Sequence, residues 1–106
     1  MDYLLTEEQM MIKELCSKIA EEKIRPVAAE LDKSEEFPRE IMKVLARSDL
    51  FGIFIPEEYG GTVQLGPKQI VAGVLDLCIA TEEFSRACAG VAVCYAASAL
   101  GTFPIL

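Results

Sequence analysis

No charged residue stands between Ala87 and the final residue, Leu106. The run is entered from a charged segment holding Glu82, Glu83 and Arg86, and small side chains fill much of it: Ala89, Gly90, Ala92, Ala96, Ala97, Ser98 and Ala99. A segment with no charge is driven out of water. One built from small residues either packs closely against a neighbour or leaves space for a ligand. Val93, Ala96, Ala97 and Leu100 recur at helical spacing, so they share one face. Gly101, with Pro104 behind it, marks the expected end of that helix.

Such a helix has three possible fates. It can lie in a helical core, form a wall of an apolar pocket, or anchor in a membrane. The anchor ranks last, because Gly90, Ser98, Gly101, Thr102 and Pro104 dilute the run and no Lys or Arg follows it. No membrane span is expected.

The rest of the chain narrows the choice. With 106 residues there is room for one domain, and 52% hydrophobic residues exclude a disordered segment. A domain of this size buries only part of its apolar surface. The chain is therefore expected to associate or to belong to something larger, and its uncapped apolar end, Phe103–Leu106, reads as a cut. The net charge of −7 speaks against binding nucleic acid or an anionic membrane, since phosphates need a basic patch. Eight of the ten bases fall within residues 1–47, so the first half reads as wet helix surface and the second as core.

Cys16, Cys78, Cys88 and Cys94 form no CxxC pair, and the chain has no histidine, so no metal site is expected. Thiols among apolar neighbours act as small hydrophobes and suit a reducing compartment. No secretory pattern follows Met1, so the expected location is cytoplasmic.

Four helices with short connections are expected, an all-α, bundle-like domain. Thr6 and Gln9 form a capping box for the first helix, whose stripe runs through Ile12, Leu15, Cys16 and Ile19 to Ile24, Val27, Ala28 and Leu31. Pro26 predicts a kink or break, with Arg25 pushed from helical geometry. Asp32–Glu36 reads as a connector. Pro38 opens a second helix that ends near Gly52, with Ile41, Val44 and Leu45 facing inward. Ile53-Phe54-Ile55 reads as an extended buried piece, and Glu57–Gly61 as a turn whose two glycines supply unusual backbone angles. Pro67 opens a third helix with Ile70, Val71, Val74, Leu75 and Cys78 inward. Glu82 and Arg86 are placed to pair on its surface, with contact between Arg86 and a polar substrate group as the alternative. Cys88-Ala89-Gly90 separates it from the fourth. Glu57, Glu58 and Tyr59 do not form an acid–base set, because adjacent turn residues point apart.

Gly52-Ile53-Phe54-Ile55-Pro56-Glu57-Glu58-Tyr59-Gly60-Gly61 resembles the acyl-CoA dehydrogenases. The same order of family fragments extends through Leu5–Gln9, Arg25–Ala28 with Asp32, Phe37-Pro38, Thr81–Arg86 and Leu100–Ile105, covering nearly the whole chain. Thr62–Ala72 departs from it, being longer than the family's loop at that point.

The resemblance implies a flavoprotein, dependent on FAD, that removes two hydrogens from the α and β carbons of an acyl-CoA thioester in fatty acid metabolism. Electron-transfer flavoprotein is the implied acceptor, and a homo-oligomer the implied assembly. It implies that residues 1–106 are the N-terminal helical domain. The catalytic base and most flavin contacts would then lie in middle β and C-terminal helical domains, so this segment alone is expected to be inactive and to hold no FAD. Val93, Ala96, Ala97 and Leu100 match the face that lines the fatty chain. Two other readings stay open: a non-catalytic helical module binding a partner or lipid, and a related flavin oxidase or monooxygenase.

Overall fold

The computed structural model describes residues 5–61 and 67–104, with side chains in the second segment described from Gly73 onward. It is all-α: α1 (Glu7–Ile19), a π turn (Ala20–Ile24), α2 (Arg25–Ser34), α3 (Arg39–Arg47), a 3-10 turn (Glu57–Tyr59), α4 (Pro67–Ala87) and α5 (Ala89–Thr102). The first three form one continuous rod, so the described residues make four helical rods and no strand.

The start of α1 has the expected capping box. Thr6 Oγ1 accepts from the Gln9 N–H at 3.2 Å, and Gln9 Oε1 accepts from the Thr6 N–H at 2.9 Å. Cys16, Ile19, Ala20 and Ile24 face the core, whereas Leu15 lies at its edge, 39% exposed.

Pro26 is taken into the rod in a way the sequence does not announce. Arg25 keeps helical angles (φ −56°, ψ −43°), contrary to the expectation of a displaced Arg25. Its N–H reaches the carbonyl of Ala20, five residues back, closing a π turn just ahead of the proline. The wider turn takes up the ring, which in a regular α-helix would press on the carbonyl four residues earlier. The helix then continues to Ser34 and stops at Glu35 in the left-handed region (φ 60°), so the connector is shorter than Asp32–Glu36.

Pro38 precedes α3 directly, and Ile41 and Leu45 are buried with Val44 partly so. The helix ends at Arg47, short of Gly52. A ladder of turns follows, in which Leu50 N–H bonds to the Leu45 carbonyl, Gly52 N–H to Asp49 and Ile55 N–H to Gly52. Ile53 and Phe54 are buried as expected, but in turns and not in an extended strand. Tight turns satisfy their own backbone groups, which an isolated strand could not do away from a sheet.

Gly60 has φ 87°, a left-handed conformation. Gly61 serves a different purpose from the one expected of it. A Cβ there would run into the Ile55 carbonyl, so glycine is needed for close approach.

Helices α1 and α4 run side by side in the same direction. Gln9 faces Asp76, Cys16 lies near Glu83, and Ser17 and Glu21 meet Arg86. Helix α4 packs antiparallel to α5, from which only Cys88 separates it. The core joins Phe84 of α4 with Val91, Ala92, Tyr95 and Ala99 of α5, together with Leu50, Ile53 and Phe54 from the turns.

The phase of α4 differs from the sequence reading. Gly73, Ile79, Ala80, Glu83 and Phe84 are buried, whereas Val74 and Leu75 are each 42% exposed and Cys78 is exposed. This helix is apolar on several sides, so spacing alone does not say which side meets α1 and α5. The side chains of Ile70 and Val71, and the loop preceding Pro67, lie outside the described residues. At the far end, α5 runs through Gly101 to Thr102, with the Phe103 N–H bonded to the Ala99 carbonyl. Gly101 is thus helical and does not end the helix, which closes just ahead of Pro104.

Candidate functional site

Helix α5 has two apolar faces. Val91, Ala92, Tyr95 and Ala99 are buried by the core. The other face carries Val93, 66% exposed, and Leu100, 76% exposed. Between this face and α4 lies a groove of about 360 Å³, lined by Leu77, Val93, Ala96, Ala97, Ala99, Leu100 and Phe103. Every lining side chain is a hydrocarbon. The volume falls in the range of small-molecule sites, and the alanines leave the groove its depth.

The structure brings the four sequence-predicted residues, Val93, Ala96, Ala97 and Leu100, together along this one groove. Sequence reasoning missed Leu77, Ala99 and Phe103. Phe103 continues the row three residues beyond Leu100 and was legible by spacing. Leu77 belongs to another helix, and only packing brings it there.

The opposite, core-facing side of α5 is held by aromatic packing. Tyr95 donates from its hydroxyl to the Leu50 carbonyl at 2.7 Å. Its ring meets Phe84 edge-on at 5.2 Å and Phe51 at 5.4 Å, and Phe54 at 6.3 Å. Burial pushes the Tyr95 phenol well above its usual range, with the nearby Cys16 and Asp76 adding in the same direction, so it remains a hydrogen-bond donor.

The charged residues lie elsewhere. Arg86 does not pair with Glu82 as expected. Its guanidinium donates to Glu21 Oε1 at 2.6 Å, to Ser17 at 3.3 Å and to Glu83 Oε2 at 3.3 Å. Glu21 also receives Arg25 at 2.9 and 3.1 Å. Hydrogen bonds from Arg25 and then Arg86 hold the Glu21 carboxyl below its ordinary range. The fold directs Arg86 across to α1 because the two helices are parallel neighbours there. Asp76 is half-buried, and desolvation raises its carboxyl while a hydrogen bond from Gln9 partly offsets this. Burial pushes the Cys16 thiol up to about 12, with the Glu83 charge adding to the shift.

A larger cavity of about 480 Å³ opens beside the α2–α3 connector, where Asp32, Glu35, Glu36, Phe37, Cys88 and Cys94 contribute to its lining. Its three carboxylates would repel an anionic ligand. Among the described residues no group of His, Cys, Asp and Glu is arranged to hold a metal ion. No helix among them is long and apolar enough to cross a membrane.

A sequence model of the acyl-CoA dehydrogenase N-terminal domain matches residues 6–106. The chain belongs to this family. Its similarity to characterised proteins runs along most of its length. It is 41% identical over 88 residues to the acryloyl-CoA reductase (NADH) of Anaerotignum propionicum, covering 83% of this chain and 20% of that protein. The short-chain specific acyl-CoA dehydrogenase of Clostridium acetobutylicum is 36% identical over 88 residues, with coverages of 83% and 21%. The mitochondrial isovaleryl-CoA dehydrogenase of Arabidopsis thaliana is 42% identical over 96 residues, with coverages of 89% and 22%. The chain thus spans about a fifth of the length of these relatives. Among the described residues of this acyl-CoA dehydrogenase domain, the α4–α5 groove is a concavity lined by hydrocarbon side chains alone.

Proposed function

We propose that residues 1–106 form the N-terminal helical domain of an FAD-dependent acyl-CoA dehydrogenase, and that the α4–α5 groove is one wall of its acyl-chain site. The observation that carries this reading is the bare second face of α5. Val93, Ala96, Ala97 and Leu100 line a concave, hydrocarbon-only surface that nothing in the described structure covers. Burying apolar surface is worth about 25 cal/mol per Å², so a fatty chain laid in this groove is drawn out of water along its length. The alanines bind by shape, admitting a chain close to the helix backbone, while aromatic packing on the opposite face of α5 holds the helix in place.

The groove does not fit a flavin. It presents no donor or cation to a ring system or a pyrophosphate. We therefore assign FAD, which would accept the hydride, and the proton-abstracting base to middle and C-terminal domains, leaving this segment inactive by itself. Acyl-CoA as substrate, electron-transfer flavoprotein as acceptor, a homo-oligomeric assembly and a cytoplasmic location belong to the same proposal. They rest on the family and, for the location, on four free thiols that suit a reducing compartment.

The test is spectroscopic. The purified full-length protein is expected to show a flavin absorbance band that a saturated acyl-CoA bleaches without oxygen. Absence of the band, or a band that no acyl-CoA reduces, overturns the reading. A second direction of reaction has a specific support, the similarity to a protein named acryloyl-CoA reductase (NADH). In that direction NADH would supply the hydride and an enoyl-CoA would accept it, with FAD held by other domains as the carrier.

A further inference from the structure

Phe103 continues the helical row that lines the groove, and it carries the one aromatic ring in that lining. It is the last residue of the lining row, ten residues beyond Val93, or about 15 Å along the helix axis. Its ring meets that of Phe54 edge-on, with centroids 6.0 Å apart and planes at 74°. Phe54 is itself 4% exposed and meets Tyr95 edge-on at 73°, and Tyr95 is bonded to the Leu50 carbonyl and packed on Phe84. Four aromatic rings therefore form a continuous edge-to-face series from the centre of the core to the end of the groove. Edge-to-face pairs hold rings in orientation because the positive edge of one meets the negative face of the next. Phe103 is 39% exposed, yet its ring is tied through this series to the most buried part of the domain. The other lining residues of α5 are aliphatic and carry no ring to be held in orientation.

We propose that Phe103 is the stop of the groove, its ring fixed by Phe54 so that it sets how long an acyl chain the site accepts. The inference rests on the reading of the groove as an acyl-chain wall and adds to it the residue that determines chain length. A rigid stop discriminates where a flexible one would swing aside. A methylene that does not fit a pocket typically changes selectivity by roughly tenfold or more.

The test compares Phe103→Ala, Phe103→Trp and Ala96→Phe in the full-length protein, using straight-chain acyl-CoAs of increasing length. Phe103→Ala is expected to raise the long-to-short ratio of kcat/KM roughly tenfold, and Phe103→Trp to lower it by a similar factor. Kd values for non-reacting thioether analogues of the same lengths should move in parallel, which gives a binding readout apart from turnover. Ala96→Phe fills the middle of the groove and is expected to penalise long chains more than short ones. If Ala96→Phe shifts the profile and neither Phe103 variant does, the stop is overturned while the acyl groove stands. If all three leave the profile unchanged in a protein that oxidises acyl-CoA, both the groove and the stop are overturned. A uniform loss at every chain length in both Phe103 variants marks a purely structural role and also overturns the proposal. Should Phe103→Ala fail to fold, the Trp variant still decides it, by shifting the ratio downward or not.

Discussion

The Tyr95 hydroxyl on α5 donates a buried 2.7 Å hydrogen bond to the backbone carbonyl of Leu50 in the turns after α3. This bond ties the groove-bearing helix to a segment 45 residues earlier in the chain. Both residues are almost wholly buried, at 0% and 1% exposure. Tyr95→Phe keeps the ring contacts but leaves the carbonyl unpaired away from water, at a cost of about 1–3 kcal/mol. Tyr95→Ala also removes the ring from contact with Phe51, Phe54 and Phe84 and should cost about 3–5 kcal/mol. Denaturant unfolding of the two variants checks the order, and a Phe variant as stable as the parent would refute the role given to the bond.

Gly60 and Gly61 are adjacent but needed for different reasons, and alanine should separate them. At Gly60 the left-handed angle costs an alanine about 1–2 kcal/mol, with open space around it. At Gly61 a methyl group meets the Ile55 backbone, which cannot swing away as a side chain can, so the loss should reach about 3 kcal/mol or more. Thermal melts of the two variants give the ranking. Equal losses would mean that the turn relaxes around the methyl.

The cysteines should differ sharply in reactivity. Cys16 is fully buried with its thiol raised to about 12, so almost none of it is thiolate near neutral pH. Cys78 is exposed on α4. Brief alkylation of the native protein followed by peptide mass mapping should label Cys78 and spare Cys16, with Cys16 labelled only in denaturant. Equal labelling in the native state would contradict the packing of α1 on α4.

Two carboxylates are expected to shape the acid side of the stability profile in opposite senses. The folded-state pKa of Glu21 is depressed by Arg25 and Arg86. Its contribution is therefore complete above the ordinary glutamate range and disappears as pH falls through the folded value. The folded-state pKa of Asp76 is raised by burial, so its ionised form weakens the fold at neutral pH and protonation relieves that penalty as pH falls through the raised value. Unfolding free energies measured from neutral to acid pH should lose less on acidification in Glu21→Gln and more in Asp76→Asn, each relative to the parent. A shift of both variants in the same sense would refute one of the two assignments.

Much of the architecture was legible along the chain, because the signals are local. The Thr6–Gln9 capping box, the proline starts of α3 and α4 and the break at Cys88 all depend on residues within one turn of each other. The shared face of Val93, Ala96, Ala97 and Leu100 follows from helix geometry alone. An irregularity at Pro26 was legible but its form was not, since a kink, a break and a π turn can each accommodate the ring and its missing N–H.

By itself the sequence determined that α5 carries no charge and that Val93, Ala96, Ala97 and Leu100 share one of its faces. Only the tertiary structure decided which face the core takes and which stays bare. Tyr95 turns the balance, since its ring and hydroxyl are satisfied together only against Phe84 and the Leu50 carbonyl. The same holds for α4, where Phe84 and Ala80 face inward and Val74 and Leu75 do not, and for Arg86, which reaches Glu21 on α1 and not Glu82 on its own helix. Periodicity records spacing along one axis, while burial depends on the direction and identity of the neighbouring helix, and these arise only when distant segments pack.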